Sequence, residues 1–157
     1  MINASTDYTA RKRDISILDY PDLEAVDGEI VMPRFGKTSR FCSGTQKLIQ
    51  RYAILMLTNV GSQENYPAFG SNFLWPLLAG ISPSSKLEAV QIFALANYAA
   101  VTAIKNYQIE NDDIPLDEQL DHAELIDLVV QGDRAGFSVK LTTLAGNLVS
   151  FLLPLPR

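Results

Sequence analysis

The chain has 157 residues, an apolar content of 47% and a net charge of −5 at neutral pH, from 13 basic and 18 acidic side chains. This length and composition predict one globular domain, exclude a fibrous or disordered chain, and disfavour nucleic-acid binding, which depends on many phosphate contacts from Lys and Arg. A single cysteine and a single histidine exclude an internal disulfide and every metal or catalytic motif that needs two of either residue.

Residues 1–41 lack sustained periodicity, and we predict that they form an extended N-terminal arm. Apolar residues around Ile15 favour a short strand within it, and turn formers such as Gly28 and Gly36 follow. Such an arm gains its order by packing, either on its own domain or on a partner. Residues 42–157 are expected to form a single α+β domain.

Two helices are predicted in the middle of the chain, at about 43–58 and 84–107. In the first, apolar residues recur on one face, Ser43 is a candidate N-cap, and Gly61 follows as a terminator. The second is apolar over most of its circumference, which predicts a buried, central position. The intervening residues 61–83 are rich in Gly, Pro and aromatic residues, and they predict a loop pinned into the core.

Three strands are predicted near the C-terminus, at 122–130, 137–144 and 148–155. Turns rich in glycine separate them, and the second strand alternates between apolar and polar residues. The expected fold class is therefore α+β, with the two main helices packed on a C-terminal antiparallel three-stranded meander and with an extended N-terminal arm. No uninterrupted apolar run approaches the ~20 residues of a membrane-spanning helix, so no membrane association is expected.

The charged residues are distributed unevenly along the chain. Eight acids and no bases lie from Glu110 to Asp127, whereas five bases and no acids lie from Arg34 to Arg51. These two groups either attract each other partly within the fold or face different partners, because complementary fields orient docking proteins. On the second interpretation the basic group forms a docking surface, which consists of Arg34, Lys37, Arg40, Lys47 and Arg51.

No motif for chemistry emerges from the residues. Phosphate-binding glycine loops and the nucleophile elbow are missing from the sequence. His122 lies among acids and is expected at the surface, while Cys42 is expected to be a small buried residue. Glu64 and Glu88 are the only acids near aromatic-rich segments, but nothing marks either as the proton donor that a glycosidase needs. We therefore expect no enzymatic activity, no cofactor and no metal, with glycoside hydrolysis as the least favoured alternative.

The stretch 44–74 has an unusual spacing: a helix with an internal glutamine, then Leu-Thr, a glycine, and Pro-x-Phe-Gly. The residues concerned are Gln50, Leu57, Thr58, Gly61, Pro67, Phe69 and Gly70. This pattern resembles the small baseplate wedge proteins of contractile phage tails, the tail-sheath initiators, which have relatives in other contractile injection systems. The order of helix, Gly/Pro loop, helix and three strands is also similar. The Glu-Pro-Arg element that follows the second helix in that family does not occur here.

The physical interpretation of these residues is structural. Gly61 can adopt the left-handed conformation after the helix, and Pro67 and Gly70 bracket a turn that would deliver Phe69 to the core. We therefore predict that the spacing is a signature of the fold and not a chemical site.

The resemblance implies a structural baseplate component that links wedge subunits to the first sheath ring and initiates sheath assembly by strand addition. Its implied partners are the tail sheath protein, other wedge subunits and the base of the tail tube, with neither nucleic acid nor membrane. The protein would be a monomer alone and present in several copies in a ring in the virion baseplate, after assembly in the host cytoplasm. The alternative is another virion or tail protein of similar α+β build.

The last predicted strand is the expected site of sheath docking. It is uncharged, and bare strand edges recruit other chains. The predicted docking residues are Leu148, Val149, Ser150, Phe151, Leu152 and Leu153. Two alternatives stay open: the strand is central in the sheet, or the N-terminal arm covers it. If docking does not use this strand, we expect the docking edge on the strand at 122–130.

Overall fold

A computed structural model describes residues 11–19, 30–36, 40–78, 86–131 and 134–154 of the chain. The described residues form three helices, which are α1 (Thr45–Leu57), α2 (Leu74–Leu78) and α3 (Lys86–Glu110). They also form eight strands, which are β1 (Asp14–Ile15), β2 (Leu18–Asp19), β3 (Ile30–Val31), β4 (Arg34–Phe35), β5 (Phe41–Cys42), β6 (Leu120–Gln131), β7 (Arg134–Thr143) and β8 (Leu148–Leu152).

The main sheet has four strands in the order β3-β8-β7-β6. Strands β6, β7 and β8 are antiparallel neighbours, while β3 pairs with β8 in parallel, with Ile30 opposite Ser150 and Val31 opposite Phe151. Two short antiparallel ribbons, β1 with β5 and β2 with β4, fold the arm back on itself. The sheet is therefore mixed, and one of its strands comes from the N-terminal arm.

The predicted fold class is wrong in this respect. The described residues contain eight strands in mixed sheets and three helices, not two main helices on a three-stranded meander. A short strand was predicted around Ile15, where β1 and β2 lie, but β3, β4 and β5 were missed because two described residues are too few to show a periodic pattern. The short helix α2 was missed because Pro76 lies inside it, although proline is tolerated in a first helical turn.

The core lies between the inner face of the main sheet and helices α1 and α3. Along β7 the side chains of Phe137, Val139 and Leu141 are buried at alternate positions, as the pleat requires. The Phe137 ring makes an edge contact with Phe73 at 5.0 Å between centroids and stacks on Phe93 at 5.7 Å. These contacts join the sheet to α3 and to the segment before α2.

Helix α3 does not occupy the predicted central position. Its buried residues form one narrow stripe, which consists of Ala89, Phe93, Ala96, Ala100 and Ile104. Large apolar side chains outside that stripe are exposed, including Leu87, Leu95, Tyr98 and Ile109. The helix packs on α1 and β6 from one side, because the small alanines allow close approach there. Among the described helices, α3 alone is long and apolar enough to span a membrane by length and composition, a test that core helices also pass.

The loop after α1 turns sharply at two glycines with positive φ. Gly61 has φ +82°, which confirms its predicted left-handed conformation, and Gly70 has φ +110° at the end of the predicted turn. The Gly61 N–H donates to the Pro67 carbonyl at 2.9 Å, which closes the loop. Phe69 is only half-buried, however, and it is Phe73 that is completely buried in the core.

Candidate functional site

The outer edge of β6, the side that faces away from β7, is capped at the start of the strand by side chains from α3. The Leu120 N–H donates to Gln108 Oε1 at 2.7 Å, and the Leu120 carbonyl accepts from Gln108 Nε2 at 3.2 Å. Asn97 Nδ2 donates to the Ala123 carbonyl at 3.1 Å. A side-chain amide has the same donor and acceptor groups as a peptide. At Leu120 and Ala123 these amides therefore take hydrogen bonds that an added strand would make.

Two irregularities and several charges protect the same edge further. The β6–β7 register shifts between Leu120 and His122 and again between Leu125 and Asp127. The Leu128 N–H donates to the Asp127 carboxylate at 2.8 Å. Bulges and charged side chains are common ways to stop edge-to-edge pairing. Docking at the strand 122–130, which was the alternative prediction, is therefore disfavoured.

The outer edge of β8, the side that faces away from β7, has different properties. The Leu153 N–H donates to the Phe137 carbonyl at 2.9 Å, so this residue points its backbone groups at β7. Because such groups alternate along an antiparallel ladder, those of Leu148 and Ser150 point to the outer edge. Among the described residues, β3 pairs with this edge only at Ser150 and Phe151.

The predicted docking residues are thus placed in three environments. Phe151 and Leu153 are buried in the core, Val149, Ser150 and Leu152 are half-buried, and Leu148 is 65% exposed. The prediction of a bare edge over all six residues is corrected by β3, which covers two of them. The alternative that the N-terminal arm covers the strand therefore holds in part. The physical reason is that the N–H and C=O groups along an uncharged edge strand can form hydrogen bonds with another extended segment of the same chain.

A buried ion network fastens the arm to the start of α1. The Glu118 side chain is 2% exposed; its Oε2 lies 3.2 Å from Lys47 Nζ, and its Oε1 accepts from the Gly44 N–H at 2.9 Å. Lys47 Nζ also donates to the Lys12 carbonyl at 3.0 Å. Each buried charge therefore has a charged or polar partner, as burial demands. Glu118 also places a negative charge at the positive end of the helix dipole.

A second ion pair crosses the start of α1 above Gly44. Arg11 and Asp117 pair at 3.0 Å, and a Cβ atom at Gly44 would lie within 2.9 Å of both side chains. Gly44 also has φ +62° and is the N-cap, in place of the predicted Ser43. The acidic and basic groups of the sequence therefore attract each other in part within the fold, through Lys47 and residues of the arm.

The five predicted bases do not form one docking surface. Lys47 is buried in the ion network, and the Arg51 guanidinium lies 4.5 Å from the centre of the Tyr107 ring. Arg34 and Arg40 are exposed on the arm. Lys37 lies outside the described residues. The prediction fails because α1 turns Lys47 and Arg51 toward partners within the fold, while Arg34 lies on β4 and Arg40 lies just before β5.

Gln50, the internal glutamine of the predicted signature, holds the arm through two hydrogen bonds. Its Oε1 accepts from the Ile17 N–H at 2.8 Å, and its Nε2 donates to the Ile15 carbonyl at 3.0 Å. The side chain is buried, so these bonds are shielded from water. Sequence reasoning had assigned Gln50 to the signature without a contact to explain it.

We predict that Gln50→Leu detaches the arm locally while the core stays folded. Leucine has a similar volume but leaves the Ile17 N–H and the Ile15 carbonyl without partners, at a cost of about 1–3 kcal/mol. Hydrogen exchange of the Ile17 amide should accelerate, and trypsin should cleave faster at Arg13. Gln91→Leu, the same change at an exposed position of α3, is the matched control and should alter neither rate. Equal rates in both variants would contradict the assignment.

The side chains of His122, Cys42 and Glu64 lie in surroundings that do not favour catalysis. His122 Nδ1 lies 3.0 Å from the Asp121 carboxylate, and its Nε2 lies 3.3 Å from Thr142 Oγ1. A catalytic triad shields its carboxylate, yet both His122 and Asp121 are about half exposed here. Burial, followed by the nearby Asp14 carboxylate, raises the pKa of the Cys42 thiol, so the reactive thiolate is disfavoured. Glu64 is exposed and therefore lacks the apolar surroundings of a glycosidase acid.

Comparisons of the chain with protein family models, curated proteins and solved structures find no significant match. The resemblance to baseplate wedge proteins therefore depends on the residue spacing alone and stays a prediction.

Proposed function

We propose that this protein is a structural component of a contractile tail baseplate that links wedge subunits to the first sheath ring. It initiates sheath assembly by accepting a strand of the sheath protein at the outer edge of β8. The observation that supports this best is the difference between the two edges of the main sheet. The β6 edge is occupied at Leu120 by Gln108 and at Ala123 by Asn97, whereas the β8 edge has backbone groups at Leu148 that no described residue pairs.

Strand addition needs an edge that is held rigidly, because ordering a loose segment lowers the affinity. In β8 this rigidity comes from Phe151, whose ring packs edge-on against Tyr52 at 6.0 Å between centroids. The Tyr52 hydroxyl donates to Asn97 Oδ1 at 2.6 Å, and burial raises the pKa of Tyr52, which keeps the hydroxyl protonated. The β8 edge is therefore preorganised for a partner strand.

Wedge subunits are expected to bind on the helical side of the protein. The outward face of α3 exposes Leu87, Leu95 and Tyr98, and exposed apolar groups of this kind commonly mark protein interfaces. The residue spacing from Gln50 to Gly70 adds the resemblance to tail-sheath initiators. On this proposal the protein is located in the virion baseplate in several copies.

The experiment is sheath assembly on tail tubes that carry the variant Leu148→Pro. Proline removes the N–H that points to the outer edge, and it is tolerated at the first residue of a strand. We expect sheath nucleation to fall at least tenfold. Leu148→Ala, which keeps the N–H and removes most of the side chain, is the matched control and should nucleate sheath normally.

Circular dichroism should show both variants folded, because Leu148 is mostly exposed. Sheaths of normal number and length on tubes with Leu148→Pro would overturn the proposed function. Deletion of the whole strand is unsuitable as a test, since Phe151 and Leu153 belong to the core.

A further inference from the structure

We propose that the outward face of α3 pairs with the same face of a second copy of this protein, with the two helices antiparallel and Tyr98 at the two-fold axis. This pairing is independent of the baseplate function proposed above, because it concerns the protein before it meets any partner. A wedge subunit that binds this face would replace the second copy. The key juxtaposition is a row of exposed residues on one helix, whose chemistry is the same when the row is followed from either end.

The outward face of α3 is a straight row of exposed residues between Leu87 and Ile109. Steps of three or four residues keep the members of the row on one side of the helix, and the row is about 33 Å long. The large apolar side chains on this side are 68–78% exposed, and they are Leu87, Leu95, Tyr98 and Ile109. The buried residues of α3 lie on the opposite side. A helix that is apolar on both sides is normally packed on both sides, so this face favours a partner.

The row is symmetric in character about Tyr98. Its exposed members are Leu87, Gln91, Ala94, Tyr98, Thr102, Lys105 and Ile109. Large apolar residues lie eleven positions from Tyr98 on each side, polar residues lie seven positions away, and small residues lie four positions away. In an antiparallel pair centred on Tyr98, each residue therefore meets one of its own kind from the second copy. A two-fold interface requires this self-complementarity, because the same patch serves both copies.

The charges on this side of α3 favour the antiparallel direction. Glu88 lies beside the row near the beginning of the helix, and Lys105 lies in the row near its end. Parallel copies would bring each charge next to its own kind, whereas antiparallel copies bring Glu88 close to Lys105 of the second copy, twice in each dimer. The offset between the two residues is about 4.5 Å along the helix, which a lysine side chain can span. One acid and one base also leave the face without net charge, so the copies do not repel each other there.

Small side chains next to Tyr98 allow the two helices to approach closely. Ala94 lies one turn before Tyr98, and Thr102 lies one turn after it. Leu95 lies beside the row and would pack against Tyr98 and Thr102 of the second copy. The pairing thus removes large apolar side chains of both copies from water, and the hydrophobic effect drives it. A single helix face is a small interface compared with the ~800 Å² per partner of stable complexes, so we expect a reversible dimer whose population rises with concentration.

Sedimentation velocity of the full-length protein over a wide range of concentration tests the pairing. The parent should change reversibly from one chain to two. Tyr98→Glu places two carboxylates together at the axis, so it should raise the dissociation constant at least tenfold. Tyr66→Glu, the same change at an exposed tyrosine of the loop after α1, is the matched control and should pair like the parent. Circular dichroism should show both variants folded, because both side chains are exposed.

A charge reversal tests the direction of the second helix. Lys105→Glu places an acid close to Glu88 of the second copy, so it should weaken the dimer at least threefold. Combining it with Glu88→Lys makes the facing charges opposite again, and the double variant should recover the affinity of the parent. In a parallel pair the facing charges are alike in all three proteins, so neither variant would change the affinity.

Disulfide formation tests the register, in a background with Cys42→Ala. Helix axes 8–10 Å apart leave about 5 Å between facing Cα atoms, so two copies of Tyr98→Cys are within the range of a disulfide. Ala94→Cys, one turn away, is the control, because its two copies would lie about 12 Å apart along the helices, which is too far. Oxidation should link Tyr98→Cys into a covalent dimer and leave Ala94→Cys as single chains.

Three results would each overturn the proposal. The first is a parent protein that stays a single chain at every concentration, which would leave the face to wedge subunits or to another segment of the chain. The second is equal dimerisation of the parent and Tyr98→Glu, and the third is equal linking of the two cysteine variants. None of these results decides the proposed function, which sheath nucleation by Leu148→Pro tests separately.

Discussion

Gly70→Ala should lower the free energy of unfolding by about 3–5 kcal/mol, near the upper end for single substitutions. A Cβ atom at this position would lie 2.2 Å from the Thr58 carbonyl oxygen and 2.9 Å from the Thr58 carbonyl carbon. The Thr58 carbonyl cannot move away without loss, because it accepts from the Ser71 N–H at 2.8 Å. The backbone at φ +110° adds conformational strain for any residue with a side chain. Urea unfolding measures the change.

Gly61→Ala is the matched control for this prediction. Gly61 is also left-handed, with φ +82°, but a Cβ atom there would have no neighbour within 4 Å. Only the cost of the left-handed backbone then applies, which is about 1–2 kcal/mol. If the two variants lose equal stability, the close approach of Gly70 to Thr58 does not determine the fold of this loop.

Glu118→Gln should destabilise the protein by about 3 kcal/mol, because it removes the buried carboxylate that faces Lys47. Glutamine keeps an oxygen for the Gly44 N–H. The Lys47 ammonium, which is 9% exposed, then retains the Lys12 carbonyl and, among the described carboxylates, the more distant one of Asp14 at 3.8 Å. The loss would appear as a lower urea midpoint. It should be largest in the exchange protection of residues 11–15, which the network fastens to α1.

Two further variants make this prediction specific to the buried pair. Lys47→Met combined with Glu118→Gln removes both charges, and it should recover much of the stability lost in the single variant. Glu124→Gln removes one partner of the exposed pair with Lys140, whose hydrogen bond lowers the pKa of Glu124, and it should shift the midpoint only slightly. A double variant as unstable as Glu118→Gln alone would contradict the role of the ion pair.

The features that local sequence patterns could predict are those that depend on near neighbours. Alternation locates the buried residues Phe137, Val139 and Leu141, and the order Pro67 to Gly70 indicates a turn with a left-handed glycine. The central burial predicted for α3 is wrong. The apolar composition of α3 shows which side chains could be buried, but the neighbouring elements that pack on the helix determine which side chains are buried. Leu95, which is 77% exposed, has no such cover among the described residues.

The features that the sequence could not reveal depend on contacts between distant segments. Glu118 binds the Gly44 N–H across 74 positions, and Gln50 binds the arm across 33 to 35 positions, so neither contact leaves a local pattern. The pairing of β3 with β8 has the same origin, since two residues are too few to indicate a strand. No local signal marks the ion network, because Lys47 lies among polar residues of α1 and Glu118 lies within the acidic group.

The amides of Gln108 and Asn97 restrict the direction in which the main sheet can be extended. A sheet that is open on both sides can be extended without limit, as in fibrils, because each added copy offers a new edge. Here Gln108 occupies the outward backbone groups of Leu120, and Asn97 occupies the Ala123 carbonyl, so an added strand cannot pair with β6 along its whole length. On the proposed function, strand addition would therefore proceed from β8 in one direction.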